Sequence, residues 1–200
     1  HSGWWLWRIT WNKDKAYGFA YNRKSQRIDL YVGNPRKQLY LQKKGAISFE
    51  KHSFGYPNES HILFDDTDKA TAIVRRDADS FSAKLGVSSP PYTNWKWHDL
   101  KQYVGGPVML SLTENTYVVA GRNWDGKSLT TAIWLLSSTD YSLKLLMTLP
   151  SKGDNSYPGL VWQDDTLYVS YYSDHIDNQT RVYLATLSGM NSLLNEVKQG

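Results

Sequence analysis

Asn58-Glu59-Ser60 opens one apolar run, and Arg75-Arg76-Asp77 closes the next, sixteen positions after the glutamate. Gly121-Arg122-Asn123 closes a comparable run further on, and Ser156-Tyr157-Pro158-Gly159 opens another. A carboxylate such as Glu59 can accept a proton or attack directly. A guanidinium holds a substrate carboxylate through two parallel hydrogen bonds, which a lysine does not imitate. A tyrosine, with a pKa near ~10, attacks at neutral pH only when a neighbouring base takes its proton. Glu59 and Tyr157 are thus the groups at these positions whose types could do such chemistry. The candidate substrate-binding residues are Arg75, Arg76, Arg122, Arg8 and His175, which follows Asp174. An ordinary reading stands beside each. Glu59 fits a turn cap, Tyr157 a turn residue before proline, Arg76–Asp77 a solvated pair, and Asp174–His175 plain polar surface. Because Arg75 and Arg76 are adjacent on a strand, alternation sends them to opposite faces, and only one can point at a given ligand.

The elements that must position these groups read as strands. Trp5-Leu6-Trp7-Arg8-Ile9-Thr10-Trp11 alternates large apolar and other residues, and Ala16 to Tyr21 follows after an Asn-Lys-Asp-Lys turn. Long stripes at helical spacing are missing. Only Asn191 to Lys198 has the pattern of a short helix. The fold class is all-β. The strands group into sets at about 4–52, 53–103, 104–152 and 153–188, followed by a tail at 189–200. Each set spans close to the ~40–50 residues of a four-stranded propeller blade, and the last has three clear strands. A β-sandwich is the alternative. Gly/Pro/Asn clusters at 56–59, 105–107 and 156–159 stand before first strands, and polar groups end second strands, so function is expected at these seams. Trp95, Trp97, Trp134 and Trp162 read as blade packing in preference to sugar platforms.

Composition excludes several classes. The 200 residues carry 23 Lys plus Arg and 19 Asp plus Glu, a formal charge of 23 − 19 = +4 spread along the chain, which is no nucleic-acid footprint. Cysteine is absent, which removes disulfides, thiolate zinc sites and cysteine nucleophiles. No apolar run reaches the roughly 18–20 residues of a membrane span, and no signal peptide is visible. No metal and no cofactor is expected, and the compartment and oligomeric state stay open. A chain that starts without Met on a strand-like run is expected to be a fragment.

The seam residues resemble those of bacterial sialidase-like proteins of the exo-α-sialidase family, the type that carries Asp-box (BNR) hairpins. The Asn58-Glu59…Arg75 spacing and the Ser156-Tyr157-Pro158-Gly159-Leu160 segment carry the likeness. Ser88 to Trp97, and less clearly Lys44 to Phe49, stand where that family has its Asp-box hairpins, in degenerate form. The resemblance implies a six-bladed propeller of which this chain supplies the later blades. It implies Tyr157 as nucleophile, Glu59 as the base that activates it, and Arg75 and Arg122 as members of a carboxylate-binding arginine triad. A tyrosine avoids the repulsion that a carboxylate nucleophile meets at a sugar bearing its own carboxylate. The family's acid/base aspartate and first triad arginine would precede Trp4, although Arg8 lies on the first visible strand. The implied partner is a glycan or sialoside. Two alternatives stand: a propeller that binds carbohydrate without turnover, and a glycosidase on another sugar that uses Glu59 with a second carboxylate about 5–9.5 Å away.

Overall fold

The computed structural model describes residues 3–199. Positions 1, 2 and 200, at the margins of the expected first strand set and tail, lie outside the described residues. The chain forms two compact units, one ending at Tyr103 and the other beginning at Val104.

The first unit holds two four-stranded antiparallel meanders. One consists of β1 (Trp5–Asn12), β2 (Lys15–Asn22), β3 (Arg27–Asn34) and β4 (Gln38–Ser48), and a short helix, α1 (Phe49–His52), leads out of it. The other consists of β5 (Pro57–Phe64), β6 (Ala70–Arg76), β7 (Lys84–Ser88) and β8 (Lys96–Asp99). Inward-facing Phe19, Ile28, Leu30 and Ile47 pack on Ile62, Ala72 and Val74, and the Trp95 and Trp97 rings stack 5.4 Å apart against this core. The second unit holds β9 (Gly105–Ser111), β10 (Thr116–Trp124), β11 (Leu129–Ser137) and β12 (Leu143–Thr148) as one meander. A three-stranded sheet of β13 (Ser156–Gln163), β14 (Thr166–Ser173) and β15 (Arg181–Ser188) follows, with α2 (Met190–Gln199) after it. Val118, Ala120 and Ile133 meet Leu167, Val169 and Met190 in its core. Trp134 is fully buried, and Trp162 is packed on that core.

Two expectations need correction. Lys44 to Phe49 forms no hairpin. It continues β4, whose irregular pairing with β3 is held where the Gly45 N–H donates to Asp29 Oδ1 at 2.7 Å. The Gly/Pro/Asn clusters do not stop at the seams either. Each lies largely inside a first strand, at a bulge where two residues face one on the partner, within Pro57–Ser60, Gly105–Val108 and Ser156–Gly159. A proline breaks a regular ladder because it has no N–H to donate, but at a bulge or strand start that donor is not needed. In all three sheets the residue before that proline has a left-handed backbone: Tyr56 (φ 47°), Gly106 (φ 57°) and Tyr157 (φ 44°).

Candidate functional site

In the first unit the β5 bulge turns Glu59 toward the last residues of β6. Asn58 fixes the turn: its side-chain oxygen accepts from the Glu59 N–H at 2.7 Å, and its amide donates to Tyr56 O at 2.9 Å and Asp77 Oδ2 at 3.0 Å. Arg75 then joins two carboxylates. Its Nη1 meets Glu59 Oε2 at 2.7 Å and its Nε meets Asp77 Oδ1 at 2.9 Å, with the Tyr103 ring 5.6 Å from the guanidinium. Glu59 is 6% exposed, so this ion pair sits almost out of water. Burial works against the Arg75 charge, but Glu59, Tyr103 and Asp77 outweigh it and hold its pKa above the usual arginine value. Arg8 on β1 lies close enough to feel Glu59. Its pKa is lowered by burial, with the glutamate acting in the other direction. Burial first, and the Glu59 charge second, push the Tyr21 phenol up.

Arg76 is on the opposite face, as alternation requires. It is 2% exposed, donates to Gly55 O at 3.2 Å and Asp79 Oδ2 at 2.6 Å, and lies over the Phe54 ring. The solvated Arg76–Asp77 pair is therefore a misreading: Asp77 belongs to Arg75, and Arg76 is buried with Asp79.

In the second unit a different cluster forms around Arg122. Its Nε donates to Asn155 O at 2.7 Å, and its Nη2 reaches Asp154 Oδ1 at 2.7 Å and the Tyr172 hydroxyl at 3.0 Å. The Tyr172 hydroxyl donates to Asp154 Oδ1 at 2.9 Å, and burial together with that carboxylate pushes its pKa up to about 12. Tyr157 is 40% exposed, with its ring centre 5.7 Å from the Arg122 guanidinium and 5.8 Å from the Tyr172 ring. Ser156 (φ 107°) and Tyr157 (φ 44°) both sit in the left-handed region, a strain that non-glycine residues keep only where the surroundings enforce it. Gly106 is part of that enforcement, because a Cβ there would overlap the Tyr157 ring. His175 stands apart from this cluster. Its Nδ1 is 3.0 Å from Ser173 Oγ, and its ring packs 4.3 Å from that of Tyr183. No group of three metal-ligating side chains occurs among the described residues.

The structure thus brings Glu59, Arg75 and the neighbouring Arg8 together in one unit, and Arg122 and Tyr157 together in the other. Sequence reasoning missed Asp77, Asp154, Tyr103 and Tyr172. Asp77 carried a signal, since it follows Arg75 by two positions at the end of β6 and so falls on the same face by alternation. Asp154 lies just ahead of the Ser156 cluster and reaches Arg122 across a gap of 32 positions.

His61, two residues after Glu59, gives this region a pH response. Burial and the Arg8 charge lower its pKa to about 3. An unfolded histidine takes its proton near pH ~6.5, so between that pH and about 3 the unfolded chain binds more protons than the native one. Stability therefore falls as the pH drops through that window. His52 and His98, also lowered by burial, act with the same sign. Urea midpoints at pH 7 and pH 4.5 should differ less in His61→Gln than in the wild type. An unchanged difference would remove His61 as a contributor.

The chain matches no family model and no curated protein. Among solved structures, it resembles a protein of unknown function from Dyadobacter fermentans, with 17% identity and a TM-score of 0.70 over 90% of this chain and 52% of that one. A thermostable family-43 glycoside hydrolase aligns at 14% identity and a TM-score of 0.64 over 92% of this chain and 68% of that one. An α-L-arabinanase of Penicillium chrysogenum, complexed with arabinobiose, aligns at 9% identity and a TM-score of 0.69 over 93% and 64%. The chain spans about half the length of the first of these. The likenesses show the fold, an all-β propeller architecture of four blades. They lend no support to the sialidase type, because the named neighbours are glycoside hydrolases of other kinds.

Proposed function

We propose that this chain is the sugar-contacting part of a glycoside hydrolase that acts on a neutral glycan, with Glu59 as its proton-accepting carboxylate. The observation that carries this reading is the buried Glu59–Arg75–Asp77 array at the bulged start of β5. A carboxylate fixed there by a single arginine is aimed without needing to reorganise, which is what a general base requires. Asp77 takes hydrogen bonds from both Arg75 and Asn58, so it acts as an acceptor that positions the arginine. A neutral sugar is favoured because three of the candidate arginines already face a carboxylate: Arg75 has Glu59 and Asp77, Arg76 has Asp79, and Arg122 has Asp154. One hydrolase neighbour is complexed with arabinobiose, a neutral disaccharide, which supports this reading.

The six-bladed sialidase reading is kept as second for one reason: Tyr157 presents an exposed phenol beside Arg122 on a strained pair of residues. Aryl arabinofuranosides, aryl xylosides and an aryl sialoside, offered to the wild type and to Tyr157→Phe, separate the two. The neutral-sugar reading expects turnover of a neutral glycoside that Tyr157→Phe leaves within about threefold, an effect well below the loss of a catalytic nucleophile. Turnover of the sialoside alone, lost in Tyr157→Phe, would establish the sialidase mechanism in its place.

A further inference from the structure

The hairpin joining β7 to β8 encloses a cleft of about 330 Å³ that the proposed chemistry does not use. Its wall includes Lys69, Lys96, Ser88, Ser89, Thr93 and Asn94, and no acidic side chain lines it. From this cleft we infer a second binding site, one that takes a small oxyanion: a carboxylate or sulfate carried by a saccharide, or the free anion. This site stands independently of the reading given above for Glu59. Lys69 precedes β6 and Lys96 opens β8, whereas Arg75 lies at the far end of β6, roughly 20 Å along the strand at ~3.3 Å per residue.

Three features support the inference. The first is charge. Neither lysine side chain is ion-paired among the described residues. Of the acids preceding Lys69, Asp65 Oδ1 accepts from Thr67 and from the Lys69 backbone N–H, Asp68 is held by Lys13 at 2.5 Å, and Asp66 is exposed and does not line the cleft. Two ammonium groups across a small cleft repel each other, and an anion between them removes that repulsion.

The second is rigidity. Ser88 Oγ donates to Asn94 O at 2.5 Å, the Tyr92 N–H to Ser89 O at 2.8 Å, and Trp95 Nε1 to Tyr92 O at 3.0 Å. Tyr92 is 4% exposed, anchors the loop in the core, and donates to Asp68 O at 2.9 Å. Gln42 ties the same loop to β4 by donating to Pro91 O at 2.9 Å. A loop held at both ends and in the middle keeps its polar wall in place before a ligand arrives, which lowers the ordering cost of binding. The third is chemistry. The hydroxyls of Ser89 and Thr93 and the Asn94 amide add neutral donors to the same wall, the mixture that oxyanions accept from.

Calorimetric titration of the protein with sodium sulfate, glucuronate and glucose at constant ionic strength tests the inference. Saturable binding of sulfate or glucuronate is expected, with no binding of glucose. Lys69→Gln and Lys96→Gln should each weaken it about tenfold, equivalent to ~1.4 kcal/mol, while Lys37→Gln, an exposed lysine in the β3–β4 turn, leaves it unchanged. Glucuronate bound at least tenfold more tightly than sulfate assigns the site to a saccharide, and equal affinities assign it to the free anion. Both outcomes uphold it. No saturable binding, equal binding of glucose and glucuronate, or wild-type affinity in both lysine variants would overturn it.

Discussion

Replacing Arg75 with methionine should destabilise the first unit by about 3–5 kcal/mol, the usual loss when one member of a buried ion pair is removed. The reason is what the arginine leaves behind. The Glu59 side chain is 8% exposed and that of Asp77 is 23% exposed, and both lose their charged partner at once. Two carboxylates held close together without a cation also repel each other. For a unit of this size the loss corresponds to a fall of roughly 10 °C or more in melting temperature. Lysine at the same position keeps a charge but reaches both carboxylates poorly, so Arg75→Lys should fall between methionine and wild type. The double variant Glu59→Gln/Arg75→Met should be less unstable than the two single losses added together, because the residues act through one contact. Chemical denaturation at neutral pH measures the wild type and the four variants, Glu59→Gln alone among them. An Arg75→Met variant within ~1 kcal/mol of wild type would mean that the array contributes nothing to folding.

The second large effect is on turnover. Glu59→Gln keeps the shape of the side chain, and its amide oxygen can still accept from Arg75, but it no longer takes a proton. Loss of a general base lowers a rate by about 10²–10⁴-fold. The fall should appear in kcat, with the affinity for an unreactive oligosaccharide changed little, because the substitution leaves the surrounding surface intact. The measurement pairs steady-state kinetics on an aryl glycoside with calorimetry on the oligosaccharide. Equal loss of affinity and rate would point instead to a residue that only binds.

Much of this arrangement was legible from the chain. Alternation placed Arg75 and Arg76 on opposite faces, and the sixteen-residue gap from Glu59 to Arg75 is that of a hairpin whose two ends meet. Pairing Ser60 with Val74 sets that meeting, and the structure places Glu59 beside Arg75. What was not legible depends on bulges. One extra residue between Pro57 and Ser60 shifts the register and puts both Asn58 and Glu59 opposite Arg75. The same device at Ser156–Gly159 places Asn155 O and Asp154 under Arg122, although the residues are more than thirty positions apart. Lys44 to Phe49 stood where the resembled family has an Asp-box hairpin. It is instead an irregular strand, since Asp29 on the neighbouring strand captures the Gly45 N–H. The sialidase type has no support from the neighbours, and its Tyr-Pro piece recurs at Tyr56-Pro57, where another first strand begins at a bulge.

The most direct measurement of the Glu59 assignment is the pH dependence of kcat/KM on a neutral aryl glycoside, for the wild type and Glu59→Gln side by side. A proton-accepting carboxylate predicts that the wild-type rate falls on the acid side through one ionisation, and that the residual activity of Glu59→Gln lacks that fall. Identical acid limbs in the two proteins would contradict it, and the base would have to be sought elsewhere.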